Sequence, residues 1–173
     1  MNDLATGWQR YWSRMLDVFL ISAFVAEIFL LIFPDMFVSE YLDEPGEQSR
    51  IGIILSPFVY LVEAVLLAGF QNTLGRLLMG IRLETLDGRP LTITDTLSRG
   101  WRVYVFGGAL GIPIVSMFTC MWNYHKIKNG RETSWDEAIS TEVVNAGANG
   151  LRTTLVAILV ITMMAIFIAA GQV

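Results

Sequence analysis

Long apolar runs, separated by short polar connections, dominate the chain. Met15–Phe33 and Ile51–Phe70 are near-continuous apolar stretches interrupted only by acid or small polar residues: Asp17 and Glu27 in the first, Glu63 in the second. Val103–Trp122 carries no charge but holds Gly107, Gly108, Gly111 and Pro113. Thr153–Ala170 is uncharged and rich in Ile, Val, Ala and Met. About 20 apolar residues in a helix cross a ~30 Å hydrocarbon core. Lipid offers the backbone no hydrogen-bond partners, so such runs form helices. The pattern predicts an all-α membrane protein with three spanning helices, plus a third apolar segment of a different kind.

The connections decide how that third segment runs. Residues 34–50 are acidic, with Asp35, Glu40, Asp43, Glu44 and Glu47 against Arg50 alone. Residues 71–102 are basic, carrying Arg76, Arg82, Arg89, Arg99 and Arg102. Lys and Arg favour the cytoplasmic side, which places the N-terminus inside, the acidic loop outside and the basic connection inside. If Val103–Trp122 crossed fully, Lys126, Lys128, Arg131 and Arg152 would all lie outside. If it enters and returns, Arg50 is the only one of the 12 Lys and Arg residues on the outer side. The glycines and Pro113 supply a place for the turn, since Gly permits unusual dihedrals and Pro removes a donor. The charge bias favours a broken or re-entrant helical hairpin. A single kinked spanning helix is the alternative, with Gly107 and Gly111 as a close packing face.

Between the apolar runs, Ile81–Ile93 alternates apolar and polar residues around Asp87-Gly88. This predicts a short cytoplasmic β-hairpin. Thr73–Gly80 reads as a helical end, and Thr94 or Asp95 as the cap of the next helix. Gly75 and Gly80 sit in no Walker pattern, so nucleotide binding is not expected. Trp8, Tyr11, Trp12, Trp101, Tyr104, Trp122 and Tyr124 fall at helix ends, where aromatic residues favour the headgroup level.

Composition narrows the function. Charged residues make up 16% of the 173, against about 25% in soluble domains. A net charge of −4 argues against nucleic acid as a partner. Cys120 is the sole cysteine, which excludes an intrachain disulfide or a Cys-based metal site. The first apolar run is too long for a signal-peptide core and lacks a small-residue cleavage pattern. His125, the only histidine, reads as interfacial, with a pH switch as the sharper alternative. No Ser or Thr has a convincing base, so no enzyme activity and no cofactor are expected.

Taken in order, Arg10 and Asp17, the stretch Asn72-Thr73-Leu74-Gly75-Arg76 through Gly80, Asp87-Gly88 with Pro90 and Leu91, Arg99, and Trp135-Asp136 with Thr141, Val143 and Val144 resemble the RDD family of small bacterial membrane proteins. Arg76 stands where the family usually has Lys, and Trp135 where its closing motif has His. The resemblance covers roughly residues 8–144. It suggests an RDD-like membrane domain over 1–150 and an additional C-terminal helix over 151–173. It implies the bacterial cytoplasmic membrane as location and, from activities attributed to some members, monovalent cation/proton exchange.

Two sets of charged residues are candidates for that function. Arg10, Arg14 and Asp17 share one helical face at i, i+4 and i+7, and Asp136 approaches from the same side in the hairpin topology. The four form either a clasp tying the loop to the first helix or a proton or ion relay. Charge inside a membrane helix costs roughly 2.5–3.5 kcal/mol per group on insertion scales, so pairing is expected. Glu27, ~18 Å from the inner end of its helix, and Glu63, ~10 Å from the inner end of its own, have no Lys, Arg or His in the central part of any span. They are candidates for a proton or monovalent-cation site, or else acids that hydrogen-bond a Ser or Thr or face an oligomer interface. The competing functions are a transporter or ion-conducting protein and a structural or regulatory subunit contacting lipid or a partner protein. Four short apolar segments enclose little polar volume, which favours a homo-oligomer or a membrane partner.

Overall fold

The computed structural model describes residues 4–37, 47–107 and 113–170. Most of the acidic loop, residues 108–112 of the third apolar segment and the side chain of Cys120 lie outside the described residues. The elements are α1 (Gly7–Ile32), α2 (Glu47–Phe70), α3 (Leu74–Met79), β1 (Ile81–Thr85), α4 (Ile93–Arg102), α5 (Pro113–Lys128), α6 (Ser134–Glu137), β2 (Thr141–Asn145) and α7 (Gly150–Ala170). Three of them are long and apolar enough to cross a membrane: α1, α2 from Arg50 onward, and α7 up to Phe167. Their outward faces are apolar as well, with Leu31, Phe70 and Phe167 each at least 75% exposed.

Thr6 starts α1 with a capping box. Its hydroxyl accepts from the Gln9 amide while Gln9 Oε1 accepts from the Thr6 amide at 2.8 Å, satisfying two orphan donors of the first turn. Ile21 and Val25 of α1 pack on Leu55 and Val59 of α2. Pro57 lies inside α2 and leaves the Ile53 carbonyl without its usual donor. The Ser56 hydroxyl donates to that carbonyl at 2.7 Å. A second core joins Leu16 of α1, Leu67 of α2, Met79 of α3, Ile81 and Leu83 of β1, Val143 of β2, and Val156 and Val160 of α7. The C-terminal helix thus shares its core with the rest of the chain.

The antiparallel strand pair is present, but the second strand is not the one expected. β1 pairs with β2, Ile81 opposite Asn145 and Thr85 opposite Thr141. The Asp87-Gly88 step does turn the chain, with the Gly88 amide donating to the Thr85 carbonyl at 3.0 Å. Beyond it the chain leaves for a helix. Leu91 is held by Gln71, whose Oε1 accepts from its amide at 2.6 Å. Thr92, rather than Thr94 or Asp95, is the cap of α4, in a capping box with Asp95 at the third position. Leu4 adds an isolated bridge to Val144, so β2 also anchors the start of α1.

The third apolar segment is a hairpin. After α4 the chain makes one π-helical turn, Val103–Gly107, and α5 begins at Pro113. The Thr119 hydroxyl donates to the Gly107 carbonyl at 3.0 Å. In a continuous helix residues twelve apart would be ~18 Å apart, so the Val103–Gly107 turn and α5 lie side by side and do not form one continuous helix. Gly100 lets α4 settle against α2: a Cβ there would lie 3.3 Å from the Tyr60 carbonyl oxygen.

Candidate functional site

Charged residues from five elements meet where α4 crosses α2. Glu63, projecting from α2, is 3% exposed. One carboxylate oxygen pairs with Arg14 of α1. The other lies 3.4 Å from Arg76 Nη2 of α3 and 3.6 Å from Arg99 Nη1 of α4. Arg99 also donates through Nε to Asp136 of α6 at 2.7 Å. Asp136, 1% exposed, accepts a second bond from the Thr133 hydroxyl at 2.6 Å, and its carbonyl accepts from the Thr141 hydroxyl. The Arg14 guanidinium lies 5.2 Å from the centre of the Tyr60 ring, a cation–π contact.

Asp17 makes a separate bond set. Its two oxygens accept from the Thr73 hydroxyl at 2.6 Å and the Gly75 amide at 2.7 Å. Gly75 is required there, since a Cβ would fall 2.2 Å from the Ser13 carbonyl oxygen. Arg10 holds Glu132 in a two-point pair, the planar fork that guanidinium offers a carboxylate. It also donates to the carbonyls of Ala5 and Val143.

This order of Arg10, Asp17, the Thr73–Gly80 turn, Arg99 and Asp136 is now a spatial arrangement, and a model of the RDD family matches residues 4–172. The chain belongs to the RDD family. No curated protein and no solved structure matches it.

In this RDD protein the network walls a cavity of about 340 Å³. Arg10, Arg14, Arg76 and Arg99 line it, and Asp136 is the one acidic lining residue among the described residues. Val103 and Gly107 of the π-helical turn, Tyr60 and Trp135 contribute to the walls. Burial and the neighbouring Arg99 guanidinium push the Arg76 pKa down to about 10, which leaves it charged at neutral pH. Arg14 Nη2, Arg76 Nη1 and Asn123 Oδ1 are buried without a hydrogen-bond partner among the described residues. A buried polar group left unmatched costs about 1–3 kcal/mol, more when charged.

The candidates from the sequence are distributed differently from the expected clasp. Arg10, Arg14, Asp17 and Asp136 all lie in this region, but they do not pair with one another. Arg10 takes Glu132, Arg14 takes Glu63, Asp17 takes the start of α3, and Asp136 takes Arg99. Glu63 is not an isolated acid: three arginines surround it. Glu27 is exposed on the outer surface of α1, so the two glutamates do not form one site. Arg76, Arg99 and Glu132 were not among the expected site residues. Arg76 and Arg99 lie in the connecting segments beyond the apolar runs and reach inward from there. The available signal was the need of a buried Glu63 for a counter-charge, together with the long reach of Arg. His125 is exposed at the end of α5. Among the described residues no cluster of three or more His, Cys, Asp or Glu could hold a metal ion.

Proposed function

We propose that this RDD protein moves a small ion or solute across the bacterial cytoplasmic membrane, with its N-terminus inside and the charged network as its working centre. The observation that carries the reading is the arginine-lined cavity of about 340 Å³ beside a buried Arg–Glu–Arg–Asp chain. Ionisable groups within membrane helices are expensive and mark ion or substrate pathways and proton relays. The orientation follows from the charge bias of the connections. The pairs Arg10–Glu132 and Arg99–Asp136 bring the chain after α5 to the end where α1 begins, in keeping with a hairpin that re-enters from the cytoplasmic side.

Family resemblance points to protons and monovalent cations as cargo. A cavity wall with four arginines and, among the described residues, one carboxylate disfavours a bare cation within the cavity. Purified protein in liposomes is expected to change internal pH under an imposed proton or Na⁺ gradient. Folded protein that moves nothing under any gradient contradicts the reading. It would favour the second one, a structural or regulatory subunit. That second reading draws support from the full pairing of Glu63, Asp17 and Asp136, which is what a static clasp requires.

A further inference from the structure

The three buried polar side-chain atoms without a partner among the described residues belong to Arg14, Arg76 and Asn123, and all three residues line the same cavity. Two of the atoms are guanidinium donors. The third is an amide oxygen, fixed as the acceptor because Asn123 Nδ2 donates to the Thr119 carbonyl at 2.8 Å. Glu63 and Glu132, the counter-charges of Arg14 and Arg10, are not among the cavity-lining residues. The cavity wall therefore presents four guanidinium groups and, among the described residues, one carboxylate, each guanidinium having an acid beside or behind it, while the remaining wall is largely aromatic and aliphatic, with Tyr60, Trp135 and Val18.

We propose that the cavity binds the head group of a phosphate-bearing amphiphile. Arg14 Nη2 and Arg76 Nη1 donate to the phosphate oxygens, Asn123 Oδ1 accepts from a head-group hydroxyl, and the apolar wall holds the adjoining carbon chain. A basic pocket between membrane helices is a known setting for anionic head groups, and guanidinium forks match phosphate geometry. The volume of about 340 Å³ lies within the ordinary range for small-molecule sites. The shared chemistry is a phosphate with a neighbouring hydroxyl, and its source is either a membrane phospholipid or a soluble phosphate ester. The site uses the cavity of the transport reading, but occupancy is measured without any flux.

The test is binding to the full chain in neutral detergent, read by native mass spectrometry and by melting temperature. The probes are short-chain phosphatidylglycerol, short-chain phosphatidylcholine, glycerol phosphate and inorganic phosphate. Saturable one-to-one binding of phosphatidylglycerol, at least tenfold tighter than phosphatidylcholine, is expected. Glycerol phosphate binding as tightly as phosphatidylglycerol would keep the arginine site and overturn the lipid source. Arg76→Lys, which keeps the charge and loses the fork, should weaken binding at least tenfold. Val18→Phe narrows the cavity and keeps every arginine, and it should weaken binding at least tenfold in a protein that melts as the parent does. No saturable binding of any phosphate probe, or undiminished binding by Val18→Phe, overturns the proposal.

Discussion

Replacing Glu63 by Gln isolates the electrostatic role of the network, because shape is kept and one charge is lost. In the native chain the carboxylate faces Arg14, Arg76 and Arg99, and the Arg76 and Arg99 side chains are each 6% exposed. Removing one partner of a buried ion pair costs about 3–5 kcal/mol, since the remaining charge stays buried and unmatched. Two features pull the value to the lower end. The Arg14 side chain is 26% exposed and reaches solvent, and Arg99 keeps Asp136. At about 3 kcal/mol, and about 2–4 °C per kcal/mol for a domain of this size, the melting midpoint should fall by roughly 6–12 °C. Tryptophan fluorescence in mild detergent would follow it. Arg14→Gln added to Glu63→Gln should recover part of the loss, as coupled neighbours do. A single variant melting within about 2 °C of the parent, with no change on adding Arg14→Gln, would refute the buried ion lock.

Other expectations follow from particular contacts. Gly75→Ala places a Cβ against the Ser13 carbonyl and the Asp17 carboxylate. It should cost about 1–3 kcal/mol by overpacking, whereas Gly52→Ala, with open space around the new Cβ, should be neutral or gain up to about 1 kcal/mol. Equal melting of the two variants would contradict the close approach of α3 to α1. Hydrogen bonds from Arg89, then from Thr92, hold the Asp95 pKa below the usual carboxylate range. A depressed folded pKa gives stability present above the ordinary carboxyl value and lost as pH falls toward the folded one. The melting gap between parent and Asp95→Asn should therefore narrow below about pH 4, and a gap constant from pH 7 to pH 3 contradicts it. In a Cys120→Ser background, probes at Trp8→Cys and Asn129→Cys should label from one side of the membrane and Asp35→Cys from the other. Labelling of Trp8→Cys and Asn129→Cys from opposite sides would break the hairpin topology.

The membrane helices were legible because lipid imposes a length and a polarity on any segment that crosses it. The reversal between Gly107 and Thr119 was legible for a related reason: a full crossing would have stranded Lys126, Lys128, Arg131 and Arg152 on the outer side. The strand Ile81–Thr85 and the turn after it were also readable from alternation and from Asp87-Gly88. Its partner was not, because Thr141–Asn145 lies far along the chain and local patterns carry no information about distant pairing. The site was half-readable. Arg10, Arg14, Asp17 and Asp136 stand out in the sequence, but the sequence does not reveal their partners. The actual partners, Glu132, Glu63, Thr73 with Gly75, and Arg99, come from other elements. Glu63 looks isolated within the apolar runs, because those runs hold no counter-charge at its depth. Arginines of the connecting segments have stems long enough to bring charge in from outside.

Flux through reconstituted protein tests the central claim, that the charged network and its cavity are the working centre of a transport protein. Parent protein in sealed liposomes should collapse an imposed proton or monovalent-cation gradient. Val18→Phe, which narrows the cavity and leaves every charge in place, should lower that rate several-fold while melting normally. A parent that is folded and inactive under every gradient, or a cavity-narrowed variant as fast as the parent, would contradict the account.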